Sequence, residues 1–273
     1  MKVITSSSNT LYKDWQRMAR GASPRAYGLL LEGVHVCQAW LAHFGQPVWA
    51  LLKQDSQTSP EVEALAAEVS PDAQAWLPAR LMRGLSTLSS EPAVMFVVQP
   101  PALALPDCIS DSALMLDCVQ DPGNVGTLLR NAAAAGIKHV LAGHGTASCW
   151  SSKALRAGQG AQFGLSIYES VDLLAWISKQ IEQDAKDKPR PQLVATSLAD
   201  GADSLYDTEL DEKVLWLFGH EGQGVSAPLL AMADRLVHIP HDASAVESLN
   251  VASAAAICLF EHRRRRLAAS SKP

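Results

Sequence analysis

At 273 residues, with 48% hydrophobic and 19% charged side chains, the chain has an ordinary globular composition and room for one large or two small domains. A net charge of −5 excludes a protein that coats nucleic acid over its whole surface, while leaving room for a local basic contact. No apolar run approaches the roughly 18 residues of a membrane span, the first residues carry no long apolar leader, and five scattered cysteines without a Cys-x-x-Cys pair suit a reducing compartment. A cytoplasmic protein with no membrane contact is therefore expected. The eight histidines show no zinc spacing, so no metal is expected either.

The chain opens basic, with Lys2, Lys13, Arg17, Arg20 and Arg25 against a single Asp14. Residues 11–20 read as a helix, 26–31 as a strand, 33–44 as an amphipathic helix and 47–52 as a second strand, with helical spacing over 61–68. Tyr12, Trp15 and Tyr27 interleave the basic residues. That arrangement suits stacking on unpaired bases, and equally a solvated basic helix with its aromatics in a core. After an apolar run over 93–98, three prolines fall within residues 99–106 and mark a linker. The split gives residues 1–99 as a small α/β domain, 100–112 as the linker and 113–273 as a second domain.

Strand and helix alternate in that second domain. Residues 113–119 read as a strand, 125–135 as a helix ended by Gly136, and 138–142 as a strand. A helix over 169–185 follows, then strands over 192–196 and 214–218, a helix over 227–233, a strand over 236–239 and a long helix over 249–266. This alternation predicts a parallel sheet with helices on both faces.

Three motifs stand where strands end, the edge at which open α/β sheets bind ligands. In Asp121-Pro122-Gly123-Asn124-Val125-Gly126-Thr127-Leu128-Leu129-Arg130, the first residues are turn formers and Asn124 reads as the cap of the next helix. Arg130 shares a helix face with Gly126 and Thr127, and helical side chains lean toward the N-terminus, so its guanidinium is aimed at the strand end. Gly219-His220-Glu221-Gly222-Gln223-Gly224 follows an apolar strand, and its glycines permit close approach by a nucleoside. Its spacing is G-x-x-G-x-G, not the G-x-G-x-x-G of dinucleotide sites, which argues against a nicotinamide oxidoreductase. The third motif runs from Ile239-Pro240 to Ser248-Leu249-Asn250 and leads into the last helix, which Ser248 or Asn250 is placed to cap.

In this order and spacing the motifs resemble the SpoU/TrmH family of RNA ribose 2′-O-methyltransferases, in the α/β-knot (SPOUT) superfamily. The resemblance covers residues 114–261. It implies a parallel-sheet α/β catalytic domain with a trefoil knot near the C-terminus, preceded by a ribosomal-protein-like substrate-binding domain. It implies S-adenosyl-L-methionine (SAM) as methyl donor, RNA as partner and a homodimer. By the same resemblance Arg130 is catalytic together with Asn124, Glu221, Ser248 and Asn250. Main-chain atoms of Gly219, Ile239 and Leu249 would hold the donor, and Lys13, Arg17, Arg20 and Arg25 would contact RNA. Ser253 and Glu261 would orient and pack the closing helix. The segment 241–247 departs from the family's pattern, being one residue longer and lacking a glycine. A substrate-binding domain of this size favours ribosomal RNA. The alternatives are a transfer RNA 2′-O-methyltransferase and a non-catalytic RNA-binding assembly factor of the same fold.

Overall fold

A computed structural model describes residues 1–21, 28–54, 59–86, 91–184, 190–199 and 201–270. The chain divides into two compact units, Met1–Pro101 with Trp150–Ser152, and Ala102–Cys149 with Lys153–Pro273. Arg25, Tyr27 and the start of the strand expected over 26–31 lie outside the described residues.

In the first unit, β1 (Lys2–Val3), β2 (Leu29–Glu32), β3 (Trp49–Lys53), β4 (Gln74–Leu77) and β5 (Val94–Val98) form one sheet in the order β1-β4-β3-β5-β2. The first three strands in that order run parallel, and β5 is antiparallel to both of its neighbours. The helices are α1 (Thr10–Ala19), α2 (Val34–Phe44), α3 (Pro60–Glu68) and α4 (Ala79–Arg83). Asn9 starts α1 by accepting from the N–H groups of Leu11 and Tyr12 at 2.9 and 3.4 Å. The apolar stripe of α1 sends Tyr12 and Trp15 into the core, each only 1% exposed. Trp15 meets Trp49 edge-on at 6.2 Å, and the Tyr12 hydroxyl donates to the Leu81 carbonyl at 3.0 Å. The reading of these two aromatics as base-stacking platforms is thereby corrected. Burial against the sheet outweighs any gain from presenting them to solvent. What α1 does present is Lys13, Arg17 and Arg20, spaced i, i+4, i+7 along one face.

The second unit carries β6 (Ala113–Asp117), α5 (Pro122–Ala135), β7 (His139–Gly143), α6 (Ser152–Gly158, with Ser152 grouped with the first unit), β8 (Ser166–Val171) and α7 (Leu173–Asp184). It continues with β9 (Gln192–Thr196), β10 (Asp203–Ser204), β11 (Val214–Gly219), α8 (Ala227–Leu230), β12 (Arg235–His238) and α9 (Val251–Ser270). All seven strands are parallel, in the order β10-β12-β9-β11-β6-β7-β8. β6 and β11 are buried on both faces at the centre, which is why they read as near-continuous apolar runs. From β6 the chain steps outward through β7 to β8. From β11 it leaves in the opposite direction toward β12. The order therefore reverses between these two central strands, and a crevice opens at such a switch point.

One expected helix divides in two. The helical spacing over 169–185 hides the end of β8, and α7 starts only at Leu173. Ser170 has φ 58° and the β7–β8 register slips beside it, so the strand ends in a kink that apolar periodicity does not record. The expected linker is also partly fastened. Trp176 Nε1 donates to the Pro106 carbonyl, Gln180 Nε2 to Asp107 and Lys213 Nζ to Ser110, each at 2.9 Å. Among the described residues no helix is long and apolar enough to cross a membrane.

Candidate active site

The three motifs converge on the carboxyl ends of the two central strands and of β12. After β6 the chain turns into α5, and the residue that caps this helix is Asp121, not the Asn124 expected from the sequence. Asp121 Oδ1 accepts from the N–H groups of Gly123 and Asn124 at 2.6 and 3.1 Å, with Pro122 in the first helical turn. Proline at that position lacks only an N–H that would be unpaired anyway, so Asp-Pro is the helix start that the sequence does offer. Lys153 Nζ lies 2.7 Å from the other oxygen of Asp121. The Lys153 ammonium and the capping N–H groups hold the Asp121 carboxyl below the usual carboxylate range.

Moving the cap to Asp121 places Asn124 inside the first turn with its side chain free to bridge. Asn124 Nδ2 donates to Glu221 Oε1 at 2.9 Å, and Asn124 Oδ1 accepts from Asn250 Nδ2 at 3.0 Å. One hydrogen-bonded chain, Glu221–Asn124–Asn250, thus links all three motifs. Glu221 also accepts from the main-chain N–H of Gln120 at 3.2 Å and of Asp121 at 3.1 Å, which locks the second motif to the turn of the first. Burial alone would push Glu221 up. The Asn124 amide and the main-chain N–H groups outweigh it and hold the carboxyl below its ordinary range. Asn250 has a second task. Its Oδ1 accepts from the N–H groups of Ala252 and Ser253 at 2.9 and 3.2 Å and so caps α9.

The second motif is a tight hairpin. His220 and Gly224 exchange main-chain hydrogen bonds at 3.0 and 2.8 Å, and His220 Nδ1 accepts from the N–H groups of Gly222 and Gln223. A Cβ on buried Gly219 would collide with the main chain of Gly224 and Val225, so the glycine is required for the loop to close. Asp117 at the end of β6 ties down the far side by accepting from the Ser226 N–H at 2.8 Å. In the third motif Ile239 is buried and Leu249 partly so. Among the described residues Leu249 makes no main-chain hydrogen bond.

Arg130 and Ser248 stand apart from this hydrogen-bonded chain. Both are exposed, and among the described residues Arg130 has no hydrogen-bond or ion-pair partner. Ser253 is exposed in the first turn of α9, and Glu261 pairs with Arg264 and Arg265 at 2.8 and 2.7 Å. The arginine run at the end of α9 is largely committed within the fold. Arg263 donates to the Ala135 carbonyl, and Arg265 to the carbonyls of Leu205, Tyr206 and Thr208. Sequence reasoning missed Asp121 as cap and Lys153 as its partner. The Asp-Pro step signals the first, whereas nothing in spacing signals the second.

The SpoU rRNA Methylase family profile matches residues 111–260, the span that contains all three motifs. The 23S rRNA (guanosine(2553)-2′-O)-methyltransferase RlmP of Bacillus subtilis is 29% identical over 96% of this chain and 100% of its own length. An uncharacterized tRNA/rRNA methyltransferase of Synechocystis is 31% identical over 98% of this chain and 96% of its own length. Among solved structures, the SpoU methyltransferase AviRb from Streptomyces viridochromogenes, in complex with AdoMet, superposes with a TM-score of 0.83. It is 25% identical, and the match covers 95% of this chain and 98% of that one. More than half of the sequence matches the family profile, and that half holds the hydrogen-bonded motifs: the chain belongs to the SpoU rRNA methylase family.

Proposed function

We propose that this protein transfers a methyl group from SAM to a ribose 2′-hydroxyl of ribosomal RNA. The observation that carries this reading is the Glu221–Asn124–Asn250 chain, which ties three strand-end loops together at one edge of the sheet. The donor site fits a nucleoside held by main-chain atoms, since Leu249 leaves both its main-chain groups unpaired among the described residues. Gly219 and Ile239 would complete that site.

When bound, SAM supplies an electrophilic methyl on a sulfonium, whose sulfur leaves as a neutral thioether. The chain's own residues must align the ribose hydroxyl and manage one proton. A guanidinium keeps its protons in water, so Arg130 is assigned charge stabilisation and not base catalysis. Its guanidinium stabilises the charge that develops on the attacking oxygen, and the proton passes to solvent or to a phosphate oxygen. Glu221 already accepts three N–H groups and is held below the ordinary glutamate range, which makes it a poor proton acceptor. It positions Asn124, and through Asn124 the side chain of Asn250. Ser248, exposed in the loop before α9, is assigned to meet the ribose, and its exposure supports that role.

In this reading residues 1–99 are the RNA-binding domain, with Lys13, Arg17 and Arg20 on the outer face of α1 meeting phosphates, and Arg25 assigned with them from the sequence. Exposed Phe260 and Leu267, seven residues apart on α9, support a homodimer. We place the protein in the cytoplasm. Mapping ribose methylations in ribosomal and transfer RNA from cells with and without the protein tests the substrate. A ribosomal RNA site lost with the protein is expected. Loss confined to transfer RNA would replace this assignment, and no lost site in either would refute it.

A further inference from the structure

Within the second motif, one side chain shapes the loop. Residues 221–224 are all exposed, and Gly222 and Gly224 are among them, so neither burial nor side-chain bulk fixes the main chain there. His220, half-buried where β11 ends, supplies the restraint. Its Nδ1 accepts from the N–H groups of Gly222 and Gln223 at 2.9 and 3.2 Å, alongside the main-chain hydrogen bonds that His220 exchanges with Gly224. A main-chain N–H only donates, so Nδ1 offers its lone pair, and in the neutral ring the hydrogen stands on Nε2. An asparagine side chain makes the same turn with N–H groups further along its own chain.

Glu221 is carried by this loop. Its carboxylate has to reach the main-chain N–H groups of Gln120 and Asp121 at 3.2 and 3.1 Å and the Asn124 amide at 2.9 Å, all in the first motif. A glycine-rich segment left to itself samples many conformations, and few of them would aim Glu221 at those three donors. We propose that His220 is a positioning residue for methyl transfer, holding Glu221 in place through the loop, with Glu221 in turn aligning Asn124 and Asn250. This rests on the reaction proposed above and adds a residue to it. The ring acts on the loop and not on a ligand.

Two measurements on the purified full chain test the assignment. Single-turnover methylation with saturating ribosomal RNA, over a range of SAM concentrations, reads the chemical step and the donor affinity separately. Hydrogen exchange at the main-chain N–H groups of Gln120 and Asp121 reads the placement of the Glu221 carboxylate. His220→Ala is expected to lower the rate constant at saturating SAM and to speed that exchange, each by ~10-fold, the size of one or two hydrogen bonds. SAM affinity should hold within a few-fold, and the melting temperature should barely change, because the loop is exposed. In His220→Asn the amide oxygen stands as many bonds from Cα as Nδ1 does, so this variant should recover most of the rate and the slow exchange. An Ala variant in which either the rate constant or the exchange is unchanged would overturn the inference. A rate loss that saturating SAM restores would overturn it too, assigning His220 to donor binding. An Asn variant no better than Ala would do the same, assigning the effect to the Nε2 hydrogen. A wild type that moves no methyl group to RNA would instead strike the proposed function, and the exchange rates would still decide whether His220 holds Glu221.

Discussion

Arg130 and Asn124 sit six residues apart on one helix and have opposite surroundings. Asn124 is engaged on both sides, whereas Arg130 is exposed and unpartnered among the described residues. An exposed guanidinium without a partner among the described residues suits a group whose partner arrives with the substrate. Arg130→Ala is therefore expected to lower the single-turnover methylation rate by ~100- to 1000-fold, the usual cost of one donor to developing charge. SAM affinity should hold within a few-fold. Arg130→Lys should recover little, because a point charge lacks the planar fork. A near-normal rate for Arg130→Ala, measured beside a SAM titration, would demote the residue to a structural part. At this scale the sequence carries residue types well and partners poorly. Asn124, Glu221 and Asn250 are legible as motif members. That they form one chain is not, because Asn124 and Glu221 are 97 positions apart and only the sheet order brings them together. The cap is misassigned for a local reason, since Asp121 and Asn124 are both good cap residues and the sequence alone ranks them equally.

Among the elements, α9 carries the third motif's cap, and it is pinned at its start and again in its second half. Asn250 caps the start, and in the second half Glu261 receives Arg264 and Arg265 while Arg265 also binds the carbonyls of Leu205, Tyr206 and Thr208. The Arg264 and Arg265 guanidiniums hold the Glu261 carboxyl at about 2. In the unfolded chain a glutamate titrates at ~4.3, so the folded value is depressed. The stabilisation is then fully present above that unfolded value and is lost as the pH falls through about 2. Comparing the melting temperatures of wild type and Glu261→Gln from pH 7 downward should show a gap that is constant to about pH 5 and closes toward pH 2. A gap that widens on acidification would contradict the ion-pair account. Most long elements are legible in the sequence, because the buried strands are apolar runs and the helices keep their period. β8 is missed since its last residues continue the apolar spacing of α7. The second motif's glycines read as room for a ligand, but a Cβ on Gly219 meets the loop's own main chain, so Gly219→Val reports first on loop closure.

On the scale of the whole chain, net charge and local charge point to different parts. The molecule is acidic overall, yet α1 shows a basic stripe of Lys13, Arg17 and Arg20 whose aromatic neighbours are turned inward. Replacing these three by Ala should weaken RNA binding and reduce its log–log salt slope by about 2–3, since each phosphate contact contributes ~0.7–0.9. SAM affinity should stay the same, and an unchanged salt slope would remove α1 from the RNA interface. The division between the two compact units falls at Pro101, inside the proline-rich stretch. That Trp176, Gln180 and Lys213 fasten residues 106–110 is not visible in the sequence, because those hydrogen bonds join positions tens of residues apart. The threading of the chain end into a knot leaves no trace in periodicity, and that expectation comes from the resemblance alone. The central claim is that the methyl group goes to a ribose oxygen. Purified protein should be incubated with ribosomal RNA and SAM labelled in its methyl group, and the product hydrolysed with alkali. Alkaline cleavage uses the 2′-hydroxyl as nucleophile, so label on that oxygen must appear in alkali-resistant dinucleotides. Label recovered in mononucleotides would place the methyl on a base and contradict the account.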